Sequence, residues 1–158
     1  MEFNHQGIIM LAKKILPPTY LLISILVMVD LGLVFPIPRV IPPFWNLLGL
    51  LPVAFGVLLN LVADRAFQQA HTTVKPFFQS SSLVTEGAYQ VSRNPMYLGF
   101  ALVLIGIAIL LRSLAPYLVI ALFVLVIDRV FIRVAEQMLA DQFGGKWEAY
   151  RKQTRRWI

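Results

Sequence analysis

Four long apolar runs, residues 15–35, 41–63, 95–111 and 114–132, take up more than half of this 158-residue chain. Each comes close to the roughly 20 residues that a helix needs to cross a bilayer. A backbone surrounded by hydrocarbon has to satisfy its N–H and C=O groups internally, so runs of this kind become helices. The expected fold is therefore all-α, an integral membrane bundle of about four transmembrane helices forming a single domain over 1–158. A composition of 58% hydrophobic and 14% charged residues lies outside the range of soluble domains. Cysteine is absent, which excludes disulfides, thiolate metal sites and a cysteine nucleophile. The formal charge of +6 comes from basic residues flanking the apolar runs, a pattern that suits membrane lipid headgroups rather than nucleic acid.

Proline and charge divide the chain. Pro17 and Pro18 fall in the opening turn of the first run, where proline loses no hydrogen bond. Asp30 lies near its far end, where an acid either serves function or reaches the headgroups. Pro36, Pro38, Pro42 and Pro43 make a stiff connection, Pro52 is expected to kink the second run, and Asp64 and Arg65 to end it. Residues from there to Arg93 form a long polar connection with enough apolar side chains to fold. Only Arg112 and Ser113 separate the third and fourth runs, so those helices should form a tight antiparallel hairpin. Gly99 and Gly106 offer a close helix approach. Asp128 and Arg129 are read as paired with each other or with neighbours. A helical extension over 133–143 should break at Gly144-Gly145, leaving a basic and aromatic interfacial tail containing Trp147, Tyr150 and Trp157. Twelve of the fourteen Lys and Arg residues fall on one side of such a bundle, against Arg39 and Arg112 on the other. That bias assigns both termini, the long loop and the tail to the cytoplasm.

Chemistry concentrates in 83–99, LVTEGAYQVSRNPMYLG, where a polar loop turns directly into an apolar run. Asn94-Pro95 reads as a helix start, with Asn94 capping free N–H groups and Pro95 at the first helical position. The positive end of that helix suits an anionic ligand group. The chain contains neither a Gly-x-Gly-x-x-Gly turn nor a phosphate-binding Gly-Lys-Ser/Thr loop. His5 and His71 lack metal-ligand spacing, so no metal site is expected. Glu136 stands near the exit of the fourth run, and an antiparallel hairpin brings it and Tyr97 to the same membrane face, where they can line one pocket. Taken alone, Glu136 is better read as the ion-pair partner of Arg133 or Arg129.

Four segments carry a resemblance: T-T-V-K-P-F at 72–77, L-V-T-E-G-A-Y at 83–89, R-N-P-M-Y-L-G at 93–99 and A-E-Q-M-L-A-D-Q-F-G-G-K-W-E-A-Y at 135–150. In order and spacing the chain resembles the isoprenylcysteine carboxyl methyltransferases, which belong with membrane phospholipid methyltransferases; the motif-bearing part covers about 64–158. The resemblance implies a methyltransferase using S-adenosyl-L-methionine, with a lipophilic or prenylated acceptor. It implies cofactor contacts at Leu83, Val84, Tyr89, Asn94, Pro95, Met96, Tyr97 and Glu136, and an acceptor-side arginine close to Arg133; by charge, either Arg93 or Arg133 can orient an anionic acceptor. Asn94 stands where eukaryotic members have histidine, and Ala135 where most members have the first of two glutamates. Two other readings compete. R-x-P-x-Y and G-x-x-W-x-x-Y also occur in the much longer NADPH-dependent sterol reductases, and Ala135 is compatible with a scaffold that has kept the fold and lost turnover.

Overall fold

The computed structural model describes residues 16–34, 40–70 and 82–158. Helix α1 is Pro17–Val34, opening on its two prolines as expected. A 3-10 turn, Trp45–Gly49, runs into α2, Leu50–Gln69. Pro52 therefore falls in the opening turn of α2, and the irregularity expected there appears as the 3-10-to-α junction. The charges at Asp64 and Arg65 do not end α2; they ride on it, and Gln68 donates to Asp64 at 2.6 Å. Helix α3 is Pro95–Leu111 and α4 is Ala115–Val126. A π-helical turn, Ile127–Ile132, carries α4 without interruption into α5, Arg133–Phe143, since Ile127 and Arg133 both keep right-handed helical angles. Gly144 then adopts φ +49°, and α6, Gly145–Gln153, leaves in a new direction. Its left-handed φ suits glycine. Among the described residues there is no strand, only an isolated parallel bridge between Ser92 and Arg155.

Helix α3 is the centre of the bundle, packing most broadly on α2 and also on α1 and α4. The α2–α3 contact is backbone against backbone. Gly49 lies against Gly106 and Gly56 against Gly99, so two glycines seven residues apart on each helix meet in antiparallel register. A Cβ on Gly56 would sit 2.5 Å from the Gly99 carbonyl oxygen, a distance only hydrogen permits. On the other side of α3 the core comprises Met28, Leu104, Ala108, Ile120, Phe123, Ile127, Phe131 and Ile132.

The two ends of the bundle differ. At one, the Val40 N–H donates to the Arg112 carbonyl (3.0 Å) and the Arg112 Nε to the Ile41 carbonyl (2.7 Å), tying the α1–α2 connection to the corner between α3 and α4. At the other end lie the end of α2, the loop 82–94, the start of α3, and α5 with α6. Outward faces of α1, α2 and α4 expose large apolar side chains, Leu22, Leu26, Leu51, Phe55, Leu58, Leu118 and Leu122 among them. A patch of that extent is untenable in water. Trp45–Gln69 is long and apolar enough to cross a membrane, and Pro17–Gly32 and Pro95–Leu111 are shorter apolar helices. Asp30 is exposed on α1.

Candidate functional site

The loop before α3 is built by burial. Tyr89, in the 3-10 turn Gly87–Gln90, packs edge-on against Phe67 of α2 with ring centres 5.3 Å apart, and its carbonyl accepts the Tyr150 hydroxyl of α6 at 2.6 Å. Burial pushes the Tyr89 phenol well above its ordinary range, with Tyr150, Tyr97 and Asp64 adding to the shift. Burial also pushes Tyr150 up to about 12, against the opposing charge of Arg93. Both rings act as neutral packing and hydrogen-bonding groups at neutral pH. Ser92 is fully buried; its hydroxyl accepts from the Asn94 N–H (3.1 Å) and donates to the Arg156 carbonyl (3.3 Å).

Asn94 and Pro95 do start α3, as the sequence indicates, but the Asn94 side chain does not cap it. Its amide donates to the Arg156 carbonyl at 3.2 Å. The C-terminal segment draws that amide away from the helix it was expected to cap.

Arg93 is the hub. Its side chain is only 8% exposed. One edge of the guanidinium grips Glu136 Oε1, from Nε at 3.1 Å and Nη2 at 2.9 Å. Its Nη1 donates to the carbonyls of Arg151 and Thr154, both at 3.0 Å, and the group lies 5.7 Å from the centre of the Trp147 ring. The backbone N–H of Arg93 meets the Arg155 carbonyl at 2.9 Å. These partners give Arg93 a positioning place, facing the protein rather than an acceptor.

Glu136, with a side chain 12% exposed, is shared between two guanidiniums. Arg156 reaches Oε2 from Nη2 at 2.6 Å and Oε1 from Nε at 3.2 Å, and extends Nη1 to Asp128 at 3.3 Å. Hydrogen bonds donated to Glu136, and the charges of Glu136 and Asp128, raise the Arg156 guanidinium above its ordinary value. Arg133 meets the other Asp128 oxygen at 3.2 Å while remaining 53% exposed. Asp128 and Glu136 are eight residues apart, which an ideal α-helix would splay. The extra residue of the π turn restores them to one face.

The expected pairing of Glu136 with Arg133 or Arg129 is thus replaced by Arg93 and Arg156, and Asp128 takes Arg133. Tyr97 lies behind this network, packed between Phe100 and Phe131; Met96 is half-buried and Pro95 buried. Leu83 and Val84 are half-buried in the extended start of the loop. Leu83 lines a cavity of about 620 Å³ with Ser82, Thr85, Phe143, Lys146, Ala149, Tyr150 and Gln153. That cavity adjoins α6 on the stripe next to the one facing Arg93, and Tyr150 belongs to both. The tail buries Trp147 and Tyr150, with the Tyr150 hydroxyl on the Tyr89 carbonyl of the loop. His5, His71 and the segment 72–77 lie outside the described residues.

The model of the phospholipid methyltransferase family matches residues 44–146. The chain belongs to that family. Membership makes it, at the level its members share, a membrane methyltransferase. The matched region runs from the turn before α2 to the first residues of α6, and so contains Arg93, Asn94, Asp128, Arg133 and Glu136. Arg156 falls beyond it. No curated protein and no solved structure matches the chain. Sequence reasoning placed Arg156 in a generic basic tail; the signal that could have singled it out is the pair of acids at 128 and 136, which needs a cation between them.

Proposed function

We propose that the protein transfers a methyl group from S-adenosyl-L-methionine to a lipophilic acceptor at the membrane surface, the favoured acceptor being an isoprenylcysteine-like carboxylate. The observation that carries this reading is the meeting of the α3 start with Glu136, through the 2.9 Å contact of Arg93. A carboxylate beside a helix N-terminus is matched to an amino-acid moiety, the carboxylate receiving the ammonium and the helix N–H groups the opposite charge. The residues fit such a donor in charge, since the Asp128–Glu136 cleft already accepts a cationic group. In this reading Glu136 and Asn94 hold the amino-acid end, with Pro95, Met96 and Tyr97 behind it, and Leu83, Val84 and Tyr89 border the remainder of the ligand next to the cavity.

When bound, S-adenosyl-L-methionine would supply an electrophilic methyl group on a sulfonium sulfur, its transfer to an acceptor oxygen exchanging a C–S bond for a C–O bond and leaving a thioether. The protein contributes positioning, which alone accounts for much of the acceleration of a bimolecular displacement. Exclusion of water also favours a step in which opposite charges vanish. Arg133, exposed and held by one carboxylate, orients the acceptor anion. The carboxylates of this network are held by guanidiniums, and the buried tyrosines stay protonated. An acceptor that needs no proton removed, such as a carboxylate, suits that arrangement better than a protonated amine. Four spans, with the site, both termini and the tail on the cytoplasmic side, complete the proposal. The long α4–π–α5 rod supplies the fourth span, interrupted in character by its π turn.

The test is labelled-methyl transfer by the purified protein to a panel of prenylated cysteines, phosphatidylethanolamine and other membrane lipids, with calorimetry against S-adenosylhomocysteine and NADPH. Methylation of the prenylated carboxylate with S-adenosylhomocysteine binding is the expected result. Tighter binding of NADPH, or no transfer to any acceptor and no cofactor bound, overturns the reading.

A further inference from the structure

One residue sits on both of the polar positions that the proposed donor site requires. The Arg156 carbonyl takes the Asn94 amide and the Ser92 hydroxyl, while its guanidinium takes Glu136 and Asp128. Arg156 is the outer of the two cations on Glu136, its side chain 33% exposed against 8% for Arg93. Arg93 forms the floor of the cleft and Arg156 its cover.

The segment that carries Arg156 is a short extension beyond the last helix. Helix α6 ends at Gln153 and Thr154 turns to extended angles, φ −119° and ψ 133°. Residues 154–158 then lie along the loop through a single parallel bridge, the side chains of Ser92, Arg93 and Asn94, and the hydroxyl of the buried Thr154, which donates to the Gln90 carbonyl at 3.4 Å. Trp157 packs half-buried against the core, and Ile158 is exposed. Helix α6 has its own anchors in Trp147 and Tyr150, so release of 154–158 need not disturb it. The segment also lies outside the part of the chain that matches the family.

We propose that residues 154–158 form a latch in which Arg156 occupies the Asp128–Glu136 cleft in place of the donor's ammonium, and that donor binding expels it. This inference rests on the donor reading above. Displacing Arg156 frees the Asn94 amide and one side of Glu136 together, so a single movement opens both halves of the site. An internal cation of this kind lowers the apparent affinity for the donor by the fraction of molecules in which the latch is closed.

The sign of one substitution separates a latch from a permanent wall. Binding of S-adenosylhomocysteine to the full chain in nanodiscs is measured by calorimetry for the parent and for Arg156→Gln, with hydrogen exchange over 147–158 in both. A latch predicts about tenfold tighter binding in Arg156→Gln, faster exchange at 154–158 without ligand, and unchanged protection in α6. It also predicts that ligand raises exchange at 154–158 in the parent. Trp157→Ala loosens the same segment without touching either acid, and should shift affinity in the same direction. Equal or weaker binding in both variants, or exchange at 154–158 that ligand slows in the parent, overturns the latch. If 154–158 is freed in the variants yet S-adenosylhomocysteine binds to none of the proteins, the donor assignment is what fails, and the ligand half of the proposal with it.

Discussion

Arg93→Ala would strip four donor contacts at once, from Glu136 and from the carbonyls of Arg151 and Thr154. Glu136 keeps Arg156 but loses one of its two guanidiniums, and two carbonyls lose their donor, so the expected loss is about 1.5–3 kcal/mol of stability. Lysine, a point donor on a flexible stem, should recover only a small part of it. Thermal unfolding in detergent checks both. Tyr150→Phe is milder, removing one 2.6 Å hydrogen bond to the Tyr89 carbonyl for about 1 kcal/mol. The tyrosines also set an alkaline limit. Tyr150 is pushed up to about 12 and Tyr89 is raised too, so their contribution is complete below the ordinary tyrosine value near pH 10 and is lost as pH rises through the folded value. Unfolding followed across pH 9 to pH 12 should show stability falling only above about pH 10, less steeply in Tyr150→Phe. At this scale the sequence named most of the participants and few of their partners. Asn94, Arg93, Glu136 and Asp128 all stood out as chemistry-bearing residues, yet only Asp128 has a near partner, Arg133, and local pattern carries no record of a contact between residues 94 and 156.

Elements were far more legible. Apolar length set α1 and α3 within a few residues, because hydrophobic burial acts on whole runs and tolerates no charge in mid-span; α2, expected within 41–63, instead runs Leu50–Gln69 after a 3-10 turn. Asp64 and Arg65 misled, since α2 continues for a turn past them: a helix leaving an apolar region can carry polar residues until a breaker or tertiary contact stops it. The π turn was invisible, because it needs no special residue type and differs by one hydrogen-bond register from the α-helix around it. Gly99 and Gly106 pointed to a close approach; their partners Gly49 and Gly56 share the same seven-residue spacing, which was the available clue. Gly56→Leu and Gly106→Leu should each destabilise by at least about 3 kcal/mol, since the added Cβ meets backbone that cannot move aside. Gly145→Ala, where a Cβ meets nothing within 4 Å, should stay within about 0.5 kcal/mol. Comparison of midpoints in the same detergent decides it.

For the molecule as a whole, the proposed topology is open to direct measurement because the chain contains no cysteine. Leu114→Cys, at the corner tied to Ile41, should react with a membrane-impermeant thiol reagent applied to intact cells. Lys152→Cys, in α6, should react only after permeabilisation. Reversed labelling would move the site to the other face of the membrane. The central claim is that the start of α3 and the acid beyond the π turn form one donor site. It is tested most directly by calorimetric titration of S-adenosylhomocysteine into the parent protein and Glu136→Gln, both shown to be folded by thermal melting. The account predicts measurable binding to the parent and at least tenfold weaker binding to the variant, as expected for loss of a charge-assisted contact worth about 1.5–3 kcal/mol; equal affinity in the two proteins would contradict it.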